Sequence, residues 1–237
     1  MLRCPKRAVK LTHVQRLEKS TLRNGYRVGI REHNGFYIGN WKNGKKQGNG
    51  VKFYNNSMAY EGQWVANKRH GFGIMKKKVE DYFILVFEGY WINNRYARGK
   101  LYEEDGVYEG EFSTTADGKK SGCGIKRWND GAVYEGQWRD NQFNGQGFFT
   151  EANGNNYDGQ WRAGLKHGEG VYMFMNKGLS MTGIWINGVP NMNIMEHTNF
   201  DQWTGNGRLP IPKIQQVDRE IIQPTYQFEK SEKLKNL

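Results

Sequence analysis

Aromatic residues and glycine alternate with polar residues in short segments that recur along the chain. In Tyr157-Asp158-Gly159-Gln160-Trp161, aromatic residues hold the first and fifth positions, glycine holds the third, and polar residues stand between them. Successive side chains of a β-strand point to opposite faces, so the tyrosine, the glycine and the tryptophan share one face. The pattern predicts a strand with one aromatic face and one polar face.

Seven copies of this pattern follow one another at intervals of 21 to 27 residues. We count each copy from its leading residue, i, so that glycine stands at i+2 and tryptophan or phenylalanine at i+4. The leading residues are Tyr37, Tyr60, Phe87, Tyr108, Tyr134, Tyr157 and Met181. Repetition at this interval predicts an elongated protein in which each unit packs on its neighbours.

Five copies carry two further glycines behind a turn, at i+11 and i+13, the fourth copy after three inserted residues. Turn-forming pairs such as Asp140-Asn141 predict a hairpin in which i+2 pairs with i+11 and i pairs with i+13. Each tyrosine would then lie opposite a glycine, and its ring would cover the bare backbone. Arg98 and Lys100 in the third copy, and Met192 and Ile194 in the seventh, replace the glycines, so these two hairpins are expected to deviate.

The face opposite the rings has its own regularity, because position i+14 is apolar in every copy. These residues are Val51, Ile74, Leu101, Ile125, Phe148, Val171 and Met195. Turn signals such as Asn153-Gly154 separate one copy from the next. The predicted fold is all-β: an elongated, single-layer antiparallel meander of hairpins with short, partly helical terminal flanks. About fourteen strands would make a sheet on the order of 65–70 Å long.

The sequence divides into an array over residues 35–196 and two flanks. Residues 1–34 form a basic N-terminal flank. Within it, residues 8–22 are predicted to form a short helix with Val9, Val14 and Leu17 in a loose apolar stripe. This helix either caps the exposed edge of the first strand or lies on a membrane or a partner. Residues 197–237 are predicted to form a C-terminal cap and a polar tail, with short helices at 213–222 and 226–236.

The unit Tyr-Glu-Gly-x-Trp followed by Gly-x-Gly resembles the MORN (membrane occupation and recognition nexus) repeat over about residues 35–196. The resemblance implies a module that binds partner proteins. Some MORN arrays accompany catalytic domains such as lipid kinases and methyltransferases, but the flanks of this array are too short for such a domain. The resemblance therefore implies a non-enzymatic scaffold and, in its narrower form, a role in spermatogenesis, in flagellum or acrosome assembly.

Positive charge is concentrated at one end of the chain. Residues 1–78 contain 18 lysines and arginines and three acids, whereas the whole chain has a net charge of +11. This asymmetry predicts docking to an acidic surface, either anionic phospholipid or a microtubule, or else only a solvated face. Lys76, Lys77 and Lys78 are the candidate docking residues. They belong to a hairpin that is longer than its neighbours, and the lysine triplet is either its charged tip or a nuclear targeting signal.

The sequence lacks the motifs of common catalytic and cofactor sites. Its five histidines do not pair with cysteine or acids at metal-ligand spacing, and no phosphate-binding glycine loop is present. We therefore expect no catalytic residue, no cofactor and no metal, and nucleic acid is an unfavoured partner. The sequence contains no signal-peptide core, and its two cysteines, Cys4 and Cys123, follow no spacing pattern. These features predict a cytoplasmic location, and no transmembrane segment is expected. By resemblance, the flagellum, the cytoskeleton or the acrosomal vesicle surface would be the site of action.

The aromatic face is the candidate protein-binding groove. Tyrosine and tryptophan are common interface anchors, and rings that lie on glycine lose little entropy when a partner covers them. The alternative is that these rings only hold the sheet together. The candidate residues are Tyr37, Trp41, Tyr60, Trp64, Tyr134, Trp138, Tyr157 and Trp161.

Overall fold

A computed structural model describes residues 12–21, 23–115 and 118–197 as one sheet preceded by one helix. Fifteen antiparallel strands follow one another in sequence order, so the predicted all-β, single-layer meander is confirmed. The helix, α1, spans His13–Thr21. The strands are β1 Gly25–Glu32, β2 Gly35–Lys42, β3 Lys45–Phe53, β4 Met58–Val65, β5 Lys68–Val79, β6 Tyr82–Ile92, β7 Arg95–Glu103, β8 Gly106–Phe112, β9 Lys120–Trp128, β10 Val133–Arg139, β11 Gln142–Thr150, β12 Asn156–Arg162, β13 Leu165–Phe174, β14 Leu179–Ile186 and β15 Val189–His197.

The N-terminal flank contributes a strand that the sequence pattern does not predict. Strand β1 pairs with β2, so the sheet begins at Gly25, ten residues before the predicted array. Helix α1 lies within the predicted range, but its Val14 and Leu17 side chains are more than half exposed. The apolar side chains described in this helix therefore do not cover the sheet as a cap would. The helices predicted at 213–222 and 226–236 lie outside the described residues.

The predicted hairpin register is wrong, although the two-residue turns are in their predicted places. In the hairpin of β10 and β11, Gly136 pairs with Gly147, which is i+2 with i+13, and Tyr134 lies opposite Phe149 rather than glycine. The ladder shifts between Gly136 and Trp138 because β11 bulges there. Gly145, at i+11, has a φ of 86° in this bulge, a left-handed conformation that glycine adopts without strain. A count of residues from the turn assumes a regular ladder and misses the bulge.

The corrected register aligns one glycine from each of thirteen consecutive strands, β2 to β14, in a single row across the sheet. Gly99 belongs to this row, so the third copy keeps a glycine that the residue count had placed out of register. In the seventh copy Gly183 faces Asn193 instead. The row comprises Gly39, Gly50, Gly62, Gly73, Gly89, Gly99, Gly110, Gly124, Gly136, Gly147, Gly159, Gly170 and Gly183.

The hairpin of β5 and β6 is longer than the others, as its sequence predicts. Its strands have 12 and 11 residues, whereas the remaining strands have 7 to 10. The additional pairs run from Lys76 opposite Leu85 to Val79 opposite Tyr82, around the turn Glu80-Asp81. This hairpin therefore extends beyond the pairing of its neighbours.

Candidate functional site

The glycine row is the floor on which the leading aromatic rings lie. A Cβ atom added at Gly147 would come within 2.3 Å of the Tyr134 hydroxyl, and one at Gly136 would come within 2.7 Å of the same oxygen. The hydroxyl of Tyr134 donates to the carbonyl oxygen of Gln137, at 2.9 Å. Only glycine leaves room for a ring that lies flat on two strands, so the predicted ring-on-glycine packing is confirmed.

The rings form an aromatic spine that joins each repeat to the next. We define this spine as the aromatic side chains at i and i+4 from Tyr37 to Trp185. Tyr134 packs edge-on against Trp138 of its own repeat and against Trp161 of the next, with ring centroids 5.2 and 5.5 Å apart. The indole N–H of Trp161 donates to the carbonyl oxygen of Gly147, at 2.9 Å. Each tryptophan of this kind therefore ties its strand to the hairpin before it, which stabilises the single layer that the described strands form.

The eight candidate groove residues belong to this spine and are buried. The four tyrosines have no exposed surface, and the four tryptophans are 3 to 6% exposed. Burial raises the pKa of the Tyr37, Tyr60, Tyr134 and Tyr157 hydroxyls, so all four stay neutral. The expectation that these rings present their faces to a partner is therefore corrected. A partner laid along this face would contact the residues that cover the rings.

The covering residues stand at i+9 in the first six copies, at i+12 in the fourth because of its three inserted residues, and we name them the outer row. The Phe143 ring stacks on the Tyr134 ring with centroids 3.7 Å apart, and the Lys166 ammonium lies 4.2 Å from the Tyr172 ring centroid and 5.1 Å from that of Tyr157. Cations held over aromatic faces are attracted to the ring quadrupole. The outer row comprises Lys46, Arg69, Tyr96, Lys120, Phe143 and Lys166. Sequence reasoning missed it, although this position is basic or aromatic in the first six copies once the insertion in the fourth is allowed for.

Carboxylates along one rim of the aromatic face hold several of its lysines. Glu32 pairs with Lys46 at 2.6 Å and also with the buried Lys52. Burial by itself would raise the pKa of Glu32, but hydrogen bonds from the two lysines outweigh it and hold that pKa below its ordinary value. The pKa of Lys46 is lowered, chiefly by burial.

Comparable ion pairs recur in later repeats. Lys126, which is 2% exposed, contacts Glu103 and Asp105 at 2.5 Å each, and Lys120 contacts Glu103 at 2.6 Å. Because removal of one member leaves a buried charge unpaired, these lysines are structural parts of the rim rather than free surface cations.

The same repeats are recognised by comparison with a known family. The MORN repeat family matches residues 37–58, 60–78, 108–133, 134–156 and 157–178. The chain contains five MORN repeats. The copies at Phe87 and Met181 are not among the matched segments, and these are the two that the sequence expects to deviate. A comparison with curated proteins finds no significant match.

The face opposite the spine shows why these two copies differ from the five MORN repeats. In the regular repeats the residue at i+14 pairs with the residue at i+1, which is an acid in all of them but the first, as Glu135 is opposite Phe148. In the third copy the register shift between the two strands is smaller, so Lys100 lies opposite the i+1 residue, Glu88. Leu101 then lies opposite Phe87, on the aromatic face. Met195 likewise lies opposite Met181 in the seventh copy. The expectation that i+14 is apolar on the opposite face is therefore wrong in both.

Outside the MORN spine, the described residues offer little chemistry. Among them, no group of three or more histidine, cysteine or acidic side chains is placed to hold a metal ion. Within the same ranges no helix is long and apolar enough to cross a membrane. Burial raises the pKa of the Cys123 thiol, which disfavours the thiolate that a nucleophile requires.

The three candidate docking lysines lie together on β5, as their sequence requires. Lys76 pairs with Glu61 at 3.0 Å, so it is partly neutralised. Lys77 and Lys78 are exposed. The structure therefore leaves Lys77 and Lys78 as the more accessible cations for an acidic partner.

Proposed function

We propose that this chain is a non-enzymatic MORN-repeat scaffold that holds partner proteins along its sheet. The observation that carries the proposal is the aromatic spine, which runs unbroken through the five MORN repeats and the irregular third copy between them. Edge-on ring contacts join each hairpin to the next, and indole hydrogen bonds from Trp64, Trp91, Trp138 and Trp161 reinforce four of these junctions, so the array is a continuous and stiff surface. A stiff, extended surface binds partners without the entropy cost of ordering itself first.

A finer proposal concerns the biological setting. The chain resembles MORN repeat-containing protein three in overall size, in Arg23-Asn24-Gly25 before the array and in Leu209-Pro210-Ile211-Pro212 after it. That resemblance supports a role in male germ cells, in flagellum or acrosome assembly. The corresponding locations would be the cytoplasm, the flagellar cytoskeleton or the surface of the acrosomal vesicle.

The outer row is the part of the aromatic face that a partner would contact. Its cationic and aromatic side chains lie over buried rings, which restricts their motion, and interface anchors are commonly arginine or aromatic. The guanidinium of Arg69 lies 4.3 Å from the Trp91 ring centroid and its Nη2 donates to the Asn94 carbonyl oxygen at 3.0 Å. The partner that fits this row carries carboxylates opposite Arg69 and Lys166, since Lys46 and Lys120 are paired with Glu32 and Glu103, and apolar groups opposite Tyr96 and Phe143.

The experiment that tests the scaffold is affinity purification of the tagged chain from testis, followed by reconstitution with the purified partner. Arg69→Gln and Lys166→Gln together are expected to weaken this binding by roughly tenfold, because each removes one charge-assisted contact. Glu135→Gln and Gln146→Ala, on the opposite face, are the matched control and should change the dissociation constant by less than about twofold. Calorimetry on variants with wild-type melting temperatures makes the comparison. Equal affinity for both pairs of variants would place the partner elsewhere on the sheet.

A second candidate function is peripheral binding to an acidic surface through the basic N-terminal third, either anionic phospholipid or microtubules. The observation that favours it is the exposure of Lys77 and Lys78 near the end of the longest hairpin. Because MORN repeats are consistent with binding either protein or lipid, this alternative also fits the repeat type.

Salt and charge reversal test this alternative directly. Co-sedimentation with phosphatidylserine vesicles or with microtubules is expected to weaken steeply between low and physiological salt, because exposed charges are screened over about 8–10 Å. Lys77→Glu with Lys78→Glu should weaken it further. The control, Arg139→Glu with Arg162→Glu, makes the same change in net charge at exposed sites of the other end. Binding that responds to neither salt nor the position of the reversal would contradict electrostatic docking.

A further inference from the structure

The long hairpin leaves a strand edge open in the middle of the sheet. The pairing of β6 with β7 begins at Phe87, opposite Leu101, whereas β6 itself begins at Tyr82. The segment Tyr82–Leu85 is paired with β5 on one side, and β7 does not pair with it on the other side. In an antiparallel pair every second residue turns its backbone N–H and C=O away from the partner strand, so this edge offers unpaired donors and acceptors.

The side chains of this edge are apolar and exposed. Tyr82, Phe83, Ile84 and Leu85 are 57, 46, 41 and 38% exposed. Natural sheets usually protect such an edge with a proline, an inward-facing charge, a bulge or a covering loop. The four residues contain neither proline nor charge, and the bulge of this hairpin, at Val86, lies just outside them. The edge is therefore suited to accept a strand rather than to prevent pairing.

Positive charge stands directly behind this edge. Lys76, Lys77 and Lys78 on β5 pair with Leu85, Ile84 and Phe83 respectively, so cations flank the apolar side chains on both faces of the hairpin. A strand added to β6 would lie about 9.6 Å from β5, twice the usual strand spacing. Lysine and glutamate side chains that extend toward each other across β6 bridge this distance.

We propose that the edge Tyr82–Leu85 binds an extended segment of a partner protein as an added strand, and that this segment alternates apolar with acidic residues. Main-chain hydrogen bonds would hold the segment. Alternation places its carboxylates on one face, where they would face Lys78 beside Phe83, and its apolar side chains on the other, where they would cover Ile84. This inference rests on the proposed partner-binding role and names one site for it, separate from the outer row.

The turn of the hairpin favours a peptide over a lipid surface as the occupant. Glu80 and Asp81 stand at the end of the hairpin and are exposed. A hairpin that inserted end-first into an anionic bilayer would bring these two carboxylates to the charged headgroups before its apolar residues. An added strand approaches from the side of β6 and does not meet them.

The experiment uses the full chain and a defined probe, a fluorescent ten-residue peptide that alternates valine and glutamate. Anisotropy is expected to show saturable binding, and hydrogen exchange is expected to show added protection of the Tyr82–Leu85 amides. The same peptide N-methylated at alternate residues cannot form main-chain hydrogen bonds along one edge and should bind roughly tenfold more weakly or worse. A valine–lysine peptide should not bind.

A shortened hairpin provides the matched protein control. Deletion of the paired residues Lys77, Lys78, Phe83 and Ile84 keeps the turn and the side-chain alternation while removing most of the open edge. This variant should keep the wild-type far-ultraviolet spectrum and lose peptide binding. Peptide binding that survives the deletion or N-methylation, or that leaves the Tyr82–Leu85 amides unprotected, would overturn the inference.

Other occupants give different results in the same assays. Binding of phosphatidylserine vesicles that depends on Phe83 and Ile84, with no peptide binding, would show a lipid contact and overturn the proposal. Self-association that the shortened hairpin abolishes, again without peptide binding, would show a second copy of the chain and overturn it too. If the shortened hairpin still binds the partner isolated from testis, the scaffold role stands and only this site is wrong.

Discussion

Replacement of Trp138 by alanine is expected to lower the free energy of unfolding by about 3 kcal/mol, toward the lower end for a buried tryptophan. The indole is 5% exposed and packs edge-on against Tyr134 and Tyr108, at 5.2 and 5.1 Å. Its N–H donates to the carbonyl oxygen of Gly124 at 3.1 Å, so alanine also removes a hydrogen bond between neighbouring repeats. Urea unfolding followed by circular dichroism measures the loss.

Trp185 is the matched control at the end of the spine. It is buried to the same extent, but its indole N–H has no hydrogen-bond partner among the described residues. Trp185→Ala should therefore cost about 1 kcal/mol less than Trp138→Ala, the usual net value of one hydrogen bond. Equal losses for the two variants would mean that the bond between the indole and the glycine carbonyl does not stabilise the array.

Replacement of Gly136 by alanine is expected to destabilise the protein by about 2–3 kcal/mol, the upper part of the usual range for overpacking, because the added methyl group meets backbone atoms. The added methyl group would lie 2.5 Å from the Gly147 Cα atom and 2.7 Å from the Gln146 carbonyl oxygen. Both are backbone atoms of β11, so the two strands must separate to admit it. Melting temperature and urea midpoint measure the loss.

Substitution of Gly154 is the control that separates the effect of crowding from a general intolerance of glycine replacement. This turn glycine has a φ of 87°, and a Cβ atom added to it would meet no atom within 4 Å. Asparagine tolerates left-handed φ, so Gly154→Asn should cost no more than about 1 kcal/mol. A Gly136→Ala variant as stable as Gly154→Asn would show that the rings do not need a glycine floor.

The repeat and the two faces of its strands follow from the local order of residues. Tyr157, Gly159 and Trp161 alternate with polar residues, and a strand has to place alternate side chains on one face. Two-residue turns such as Asp140-Asn141 then fix where each strand reverses. From these features the all-β meander and the glycine floor beneath the rings follow without knowledge of the structure.

The register did not follow from the same residues. Gly145 and Gly147 are indistinguishable in sequence, yet Gly145 adopts a left-handed conformation in a bulge and Gly147 lies beneath the Tyr134 ring. The bulge places Gly147 opposite Gly136 and beneath the ring, whereas the regular ladder would place Gly145 there. That choice depends on packing between strands, which a residue count along one strand does not contain.

The sequence by itself determined the array, the spacing of its turns and the residues that share the aromatic face. Only the tertiary structure decided that the eight candidate rings are buried, that the side chains at i+9 cover them, and that Tyr82–Leu85 is left with an open edge. The physical reason is that burial and edge exposure depend on which strands are neighbours and where their pairing stops. Alternation along a strand determines the face to which a side chain points, whereas the adjacent hairpins determine which residues cover it.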